Sequence, residues 1–432
     1  MSLPSWGNFP SVVSEVITMR SLQTAQRSLQ DKPPIICYGN GRSYGDSALG
    51  TTQLNMREHN KFIAFDPKSG LLETQSGALI ADLLDTFAPR MWILPVVPGT
   101  KLITIGGAIA ADVHGKNHHL KGCFSEAVVS LKLLLPNQKI LNCSSSENTE
   151  LFRATCGGQG LTGVIISAEI QLEKITSHKL DVTTLKAGNL EEAFSHFEQN
   201  PDSPYSVAWI DCCAQGPALG RSLVSLAKFS DRHDSQYTPR KRVNIPFFFP
   251  KLLLNRWTVQ AFNALYYRRF SKQKSESQAD IDSFFFPLDM LRNWNRIYGK
   301  SGFVQYQFIL PLASSHLGMT EVLETIAKSK RASFLAVLKL HGIANKNFLS
   351  FPLKGYSLAL DFKITAGLFE FLDELDQLVL KHQGRIYLAK DARVPKSVFD
   401  VGYTKAEEFR ELRRRIGASE SIQSRQSQRL GL

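Results

Sequence analysis

Two glycine-rich loops constrain the fold of this chain more than any other feature. The first, Cys37–Ser47, follows the apolar pair Ile35-Ile36, and the second runs from Pro98 to His119. Glycine adopts positive φ and leaves backbone N–H groups unobstructed, so such loops can surround a pyrophosphate. Neither loop carries the G-x-G-x-x-G register of dinucleotide folds or a P-loop motif. Each loop alone fits a surface turn equally well, whereas the pair favours a cofactor site.

A polar, protonatable cluster ends the second loop. The run is His114-Gly115-Lys116-Asn117-His118-His119. Histidine and lysine are side chains that transfer protons in catalysis, so their position directly after the glycines predicts a reaction site beside the cofactor site. His114 alone fits three roles, which are a base, a cofactor neighbour and a buried hydrogen-bonded histidine.

Composition bounds the class of protein. A length of 432 residues suggests two or three domains, and the formal charge of +12 implies anionic partners. No nucleic-acid-binding motif is present, so we expect no nucleic-acid partner. No uncharged apolar run is long enough to span a membrane, and the N-terminal residues lack the pattern of a secretory signal. The six cysteines form no CxxC pair, which predicts a cytoplasmic protein without a metal site.

The pattern of apolar residues predicts an α+β fold. Short strands alternate with turns from about residue 31 to 175, with helices at 78–85 and 150–155. A second set, from about 176 to 400, predicts an antiparallel sheet covered by helices, with strands at 205–211, 303–309, 333–338 and 356–362. Helices are expected at 320–328 and 368–382, the latter with a glycine C-cap at Gly384. The polar stretch 272–280 is expected to be a mobile loop.

These segments resemble a known family. Gly39–Ser47, Pro98–His119 and Gly157–Ile165 are similar to the two-lobed PCMH-type FAD-binding domain of the vanillyl-alcohol oxidase superfamily. In the second half, the resemblance is to the decaprenylphosphoryl-ribose oxidase family, on the segments 305–308, 339–340, 349–352, 360–362 and 384–391. It implies an FAD-binding domain at 1–175, a substrate domain at 176–400, and a C-terminal segment, 401–432, that returns to the first domain.

The resemblance implies which residues bind FAD. The first loop would supply backbone and side-chain contacts to the pyrophosphate, and the second loop would line the cofactor from the other side. The residues implied are Gly39, Asn40, Gly41, Arg42, Ser43, Tyr44, Gly45, Ser47, Gly99, Thr104, Ile105, Gly106, Gly107, Ala111, His114, Gly115, Asn117, Ile165 and Tyr387. In many sugar-lactone oxidases the position of Arg42 holds a histidine bonded to the flavin. Arginine cannot form that bond, so we expect noncovalent FAD.

Lys390 and His114 are the predicted catalytic residues. A lysine with a pKa lowered by burial can accept a hydroxyl proton, and it can also hold a phosphate or a sugar hydroxyl. The resemblance implies that substrate is bound by Lys116, Arg296, Gln305, Gln307, Lys339 and Lys390. Three positions depart from the family pattern, namely Phe285, Ser357 and Ala359, and the last holds a cysteine in mycobacterial-type relatives.

The segment Arg240–Leu254 begins with three consecutive cations, which precede a stretch rich in large apolar residues. Exposed, it would suit an anionic membrane surface or a lipid tail, and buried, it would connect two domains. We therefore expect a cytoplasmic protein, with peripheral contact at the inner membrane if the segment is exposed.

The predicted reaction is oxidation of a secondary sugar hydroxyl, the ribose C2 of a polyprenylphosphoryl-β-D-ribose, to a keto sugar. A partner short-chain reductase would then complete epimerisation to arabinose. Two alternatives stay open. One is an aldonolactone or sugar-alcohol oxidase that uses O₂, and the other is a catalytically silent FAD-fold protein that binds at membranes.

Overall fold

The computed structural model describes residues 5–31, 33–231, 236–250 and 253–432. The strands are β1 Glu15–Thr18, β2 Ile35–Tyr38, β3 Thr52–Asn55, β4 Phe62–Phe65, β5 Leu71–Gln75, β6 Trp92–Ile93, β7 Val128–Leu134, β8 Ile140–Ser144, β9 Val164–Gln171, β10 Glu173–Lys174, β11 Lys179–Ala187, β12 Tyr205–Ile210, β13 Ser222–Phe229, β14 Val243–Asn244, β15 Lys274–Asp280, β16 Leu291–Arg292, β17 Phe303–Pro311, β18 Ala336–His341, β19 Gly355–Lys363 and β20 Arg385–Ile386. The helices are α1 Leu22–Asp31, α2 Ile80–Phe87, α3 Ile105–Ala110, α4 His118–Lys121, α5 Thr149–Thr155, α6 Leu190–Glu198, α7 Arg256–Arg268, α8 Ile281–Phe285, α9 Leu312–Ser329, α10 Leu368–Lys381, α11 Lys396–Gly402, α12 Ala406–Arg415, α13 Ala418–Ser421 and α14 Arg425–Leu430.

Two sheets carry the glycine loops. Strands β1, β3 and β2 form a parallel sheet, and the first loop leaves its strand β2. Strands β4, β5, β9, β7 and β8 form an antiparallel sheet in that order. The two loops meet, since the Asn40 side-chain amide donates a 2.7 Å hydrogen bond to the Leu102 carbonyl of the second loop.

An antiparallel sheet of eight strands forms the second half of the fold, in the order β15-β11-β13-β12-β18-β19-β17-β20. Side chains alternate between its two faces. One face packs on helices: the Tyr306 hydroxyl of β17 donates to Asp376 of α10, and the ring of Tyr356 on β19 lies 4.3 Å from that of Phe194 on α6. The opposite face carries the side chains that line the cavity described below. Within the described ranges, no helix is long and apolar enough to cross a membrane.

Most predicted elements are confirmed, with differences at their ends. Helix α9 begins at Leu312 rather than Thr320, and the strand expected at 333–338 lies at Ala336–His341. The mobile loop predicted at 272–280 is wrong, because Lys274–Asp280 is an edge strand paired with β11. The glycine C-cap of α10 is also wrong: Gln383 has φ of +58°, whereas Gly384 lies against the Ile309 carbonyl, where a side chain would clash.

The C-terminal segment packs against elements of the first 175 residues. Gln423 donates its backbone N–H to Ile35 of β2, and Arg425 donates to Leu49. Arg429 reaches Asp46 of the first glycine loop and Asp391 at the same time. These contacts support the proposal that 401–432 belongs with the first domain.

Arg413 anchors this returning segment. Its buried guanidinium donates to three carbonyls, those of Leu161, Ala418 and Ile422. The neighbouring Arg414 is exposed, and its guanidinium pairs with the exposed Glu407.

We therefore expect Arg413→Leu to destabilise the protein by about 3 kcal/mol, because buried carbonyls lose a charged donor. The matched control Arg414→Leu should change stability by less than about 0.5 kcal/mol, as an exposed ion pair does. The melting temperatures of the two FAD-loaded variants test this. Equal melting temperatures would show that Arg413 does not anchor the segment.

Candidate active site

One large cavity joins the two glycine loops to the free face of the eight-stranded sheet. Its volume is about 1020 Å³, and it is lined by residues from both halves of the chain. One end lies among the loops, and the other reaches across strands β11, β12, β13 and β15 beneath helix α7. Everything predicted to bind cofactor or substrate can be located relative to this cavity.

Most of the predicted cofactor residues line the loop end. They are Gly39, Asn40, Gly41, Arg42, Ser43, Tyr44, Ser47, Gly99, Thr104, Gly106, Gly107, Ala111, His114, Ile165 and Tyr387. The Thr104 hydroxyl accepts a hydrogen bond from the Gly107 N–H at 3.1 Å, which fixes the start of α3.

Four predicted cofactor residues do not line the cavity and instead support it. Gly45 lies against the Asp391 backbone, and Gly115 lies against that of Val97, so a side chain at either position would clash. Ile105 is fully buried in the core. The side-chain amide of Asn117 donates a 2.7 Å bond to the Pro95 carbonyl.

Sequence reasoning missed several cavity residues. Ser76 and Leu79 flank Gly77 after β5, and Gln159 and Gly160 belong to the glycine turn before β9. Gln159 and Gly160 both have positive φ, of +55° and +75°. Gly77, Gly157, Gly158 and Gly160 are the sequence signal that could have located this part of the cavity lining.

The loop end fits a flavin nucleotide. Arg42 Nε, Ser76 Oγ and His114 Nδ1 are buried without a hydrogen-bond partner among the described residues, although buried polar atoms are normally paired. At Gly99 and Gly160 the space that a side chain would fill is open. A bound ligand with phosphate and ring heteroatoms would supply partners and fill this space. The Arg42 guanidinium lies 4.0 Å from the Trp6 ring centroid, and burial lowers its pKa while Asp289 raises it.

Lys390 lies where the two halves of the chain meet. Its ammonium is 3.7 Å from the ring centroid of Tyr44 in the first loop. Burial lowers the pKa of Lys390 to about 7, the nearby Asp361 acts in the opposite direction, and Lys339 lowers the pKa further. Lys390 is therefore available as a neutral amine near neutral pH.

Asp361 is a buried carboxylate that the sequence analysis assigned no role. Gln305 Nε2 donates to one of its oxygens at 2.6 Å, and the Tyr298 hydroxyl donates to the other at 3.1 Å. Burial raises its pKa to about 7, against these two hydrogen bonds and the charge of Lys390. The only sequence signal was its place within the segment 360–362.

His114 is held as a neutral imidazole. Its Nε2 lies 3.1 Å from the Gln307 side-chain amide, and its ring centroid is 4.7 Å from that of His341. Burial lowers its pKa well below the ordinary value, with Lys339 acting in the same direction. When Gln307 donates to Nε2, the imidazole proton lies on the unpartnered Nδ1.

Two further cations reach the cavity. The Lys116 ammonium contacts the Phe284 carbonyl and lies 4.1 Å from the Phe284 ring centroid. Burial lowers the pKa of Lys116 to about 7 and that of Lys339 to about 8. Lys339 also lowers the pKa of Lys116 by charge repulsion. An anion bound beside Lys116 and Lys339 would relieve this repulsion and raise both pKa values, so both lysines would then be charged.

Arg296 differs in position from the other residues predicted to bind substrate, all of which line the cavity. It is not among the described residues that line the cavity. Its guanidinium donates to the carbonyls of Ile245 and Pro246 and lies 5.7 Å from the Phe248 ring centroid, so it holds the 243–250 segment in place. Arg242 and Arg292 line the cavity instead. The three departures, Phe285, Ser357 and Ala359, all line it as well.

Comparison with known proteins identifies the family of this chain. Residues 10–144 match the FAD binding domain family. The decaprenylphosphoryl-beta-D-ribose oxidase of Mycolicibacterium smegmatis is 33% identical over 100% of this chain and 97% of its own length. A putative D-arabinono-1,4-lactone oxidase of Neurospora crassa is 32% identical over 38% of this chain and 29% of its own. L-gulonolactone oxidase of Bos taurus is 29% identical over 38% of this chain and 36% of its own length. The chain is thus an FAD-dependent oxidoreductase and belongs to the decaprenylphosphoryl-β-D-ribose oxidase family.

Proposed function

We propose that this protein oxidises the C2 hydroxyl of a polyprenylphosphoryl-β-D-ribose to the 2-keto sugar. The observation that carries the proposal is the buried Lys390, with a pKa of about 7, in the same cavity as the glycine loops. The full-length similarity to the Mycolicibacterium enzyme, whose name states that substrate, supports it. A short-chain reductase would be the partner that reduces the keto product to the arabinose epimer.

Bound FAD would supply the acceptor for the hydride that leaves C2, held by the residues of the two loops. Lys390, as the neutral amine, takes the proton of the C2 hydroxyl as the carbonyl forms. Gln305 and Gln307 present side-chain amides to the sugar hydroxyls, and His114 positions Gln307 through its Nε2. Lys116 and Lys339 neutralise the phosphate.

The lactone oxidase alternative has less support. The lactone oxidase relatives align with 38% of this chain, whereas the ribose oxidase aligns with all of it. The catalytically silent alternative is disfavoured by Lys390, because a buried lysine with a strongly lowered pKa is typical of functional sites.

We expect the Lys390→Ala variant to retain FAD. Its flavin should be reduced by substrate at least about a hundredfold more slowly, which is the smaller effect expected when a positioned acid–base group is lost. Anaerobic mixing with the ribosyl substrate while flavin absorbance is followed measures this rate. The control Lys396→Ala removes a nearby exposed lysine that pairs with Asp400 and should react normally. A Lys390→Ala rate close to that of the wild type would remove Lys390 from the mechanism.

We expect FAD to be noncovalent, because Arg42 stands where related enzymes attach flavin through histidine. Acid precipitation of the purified protein should release intact FAD into the supernatant. Flavin fluorescence that stays with the denatured polypeptide would contradict this expectation.

We propose further that the protein docks peripherally on anionic membranes. Residues 236–275 contain nine Lys and Arg and no Asp or Glu. On the described part of this stretch, Phe247 is 62% exposed, Phe248 39%, Trp257 74% and Leu265 70%. We call these four residues the docking surface. The described residues of the segment Arg240–Leu254 are therefore mostly exposed and do not form a buried connector. Residues 251–252 lie outside the described residues. Exposed rings beside cations favour an anionic bilayer.

The variant Phe247→Ser/Phe248→Ser/Trp257→Ser should sediment at least about tenfold less with anionic vesicles, because it loses apolar insertion. The control Val13→Ser/Leu317→Ser removes two apolar residues that are 87% and 69% exposed and lie outside the docking surface, so it should bind normally. Binding of the wild type should also weaken with salt. Equal sedimentation of both variants would exclude the docking surface from membrane contact.

A further inference from the structure

We propose that the cavity continues into a channel that holds the hydrocarbon tail of a lipid phosphate, laid across the free face of the eight-stranded sheet beneath α7. The inference rests on the proposed function for the sugar at one end, and it adds the location of the lipid. No residue of this channel takes part in the chemistry described above.

The strand register builds the channel. Cross-strand partners place Gln307 of β17 beside Ala359 of β19, Ala359 beside Val337 of β18, and Val337 beside Trp209 of β12. On the next strands, Trp209 lies opposite Leu223, while Val207 lies opposite Ser225, which lies opposite Thr184 of β11. The cavity lining therefore changes along one face of the sheet from amide and ammonium groups to methyl and hydroxyl groups.

The far part of the channel carries no charge. The cavity residues of β11, β12, β13 and β15 are Val182, Thr184, Val207, Ala208, Trp209, Leu223, Ser225, Ser277 and Ala279. None of these is ionisable, so this part suits a hydrocarbon better than a second sugar. Lys116 and Lys339 lie in the same cavity, where the phosphate between sugar and tail would need cations.

Aromatic side chains roof the channel. Phe262 and Tyr266 of α7, and Phe270 beyond it, line the cavity opposite the sheet. The Tyr266 ring lies 4.8 Å from that of Trp209 and 5.8 Å from that of Phe262. The same helix presents Trp257 and Leu265 to the outside, so the roof of the channel and the docking surface share one element.

The channel is longer than a sugar phosphate requires. Six strand spacings of about 4.8 Å separate β17 from β15, which makes about 29 Å. Ser277 lines the cavity on the exposed edge strand β15, so the channel reaches the surface there. A long tail can thus lie in the channel and leave it at the edge of the sheet.

A matched pair of adjacent threonines tests the channel. Thr184 is buried and lines the cavity, whereas Thr183 points to the other face of the same strand. We expect FAD-loaded wild-type protein to bind farnesyl phosphate at least about tenfold more tightly than isopentenyl phosphate, because the longer tail buries more apolar surface. In Thr184→Phe this preference should disappear, and in Thr183→Phe it should remain. Titration calorimetry without vesicles measures both affinities.

Ser225→Phe, which fills the same row from β13, replaces Thr184→Phe if that variant loses its FAD. Equal affinity of the wild type for both phosphates, or the same preference in Thr184→Phe and Thr183→Phe, would overturn the channel. If the chain-length preference and its loss are seen but the ribosyl substrate is not oxidised, the channel stands and the proposed reaction fails.

Discussion

The charge interaction between the buried groups of Lys390 and Asp361 governs the proton chemistry of the site. Burial lowers the pKa of the lysine and raises that of the carboxyl, and both reach about 7. The charged and neutral forms of each group are therefore close in free energy near neutral pH, so a proton can move onto or off Lys390 at small cost. Gln305 and Tyr298 hold the carboxylate from both sides and keep this balance in place.

The rest of the fold brings this pair to the cofactor loops. The backbone N–H of Tyr44 donates to the Ala389 carbonyl, so the first loop is bonded to the residue before Lys390. Gly45 leaves the room that this close approach requires. Arg429, from the C-terminal segment, joins Asp46 and Asp391 across the same junction. Three distant parts of the chain thus fix the position of one lysine.

The sequence was informative where local rules decide the structure. Glycine clusters located both loops, and periodicity located the strands and helices of both halves. It failed where tertiary contacts decide. The polar stretch Lys274–Asp280 became a strand because β11 offered backbone partners and Lys179 and Arg240 paired with Asp280. Local patterns did not show that Arg296 lies outside the cavity or that Asp361 is buried where the charge of Lys390 acts on it, because strand register and loop packing set both positions.

The most direct test of the Lys390–Asp361 pair is the pH dependence of anaerobic flavin reduction by substrate. The rate should rise with pH through about 7, because the proposed mechanism requires a neutral Lys390 to accept the proton and the pKa of Lys390 is about 7. Asp361 raises the pKa of Lys390, so Asp361→Asn should move the rise in rate to lower pH. Lys339 lowers the pKa of Lys390, so Lys339→Met should move the rise to higher pH. A rate that falls as pH rises, or a profile that neither substitution moves, would contradict the account.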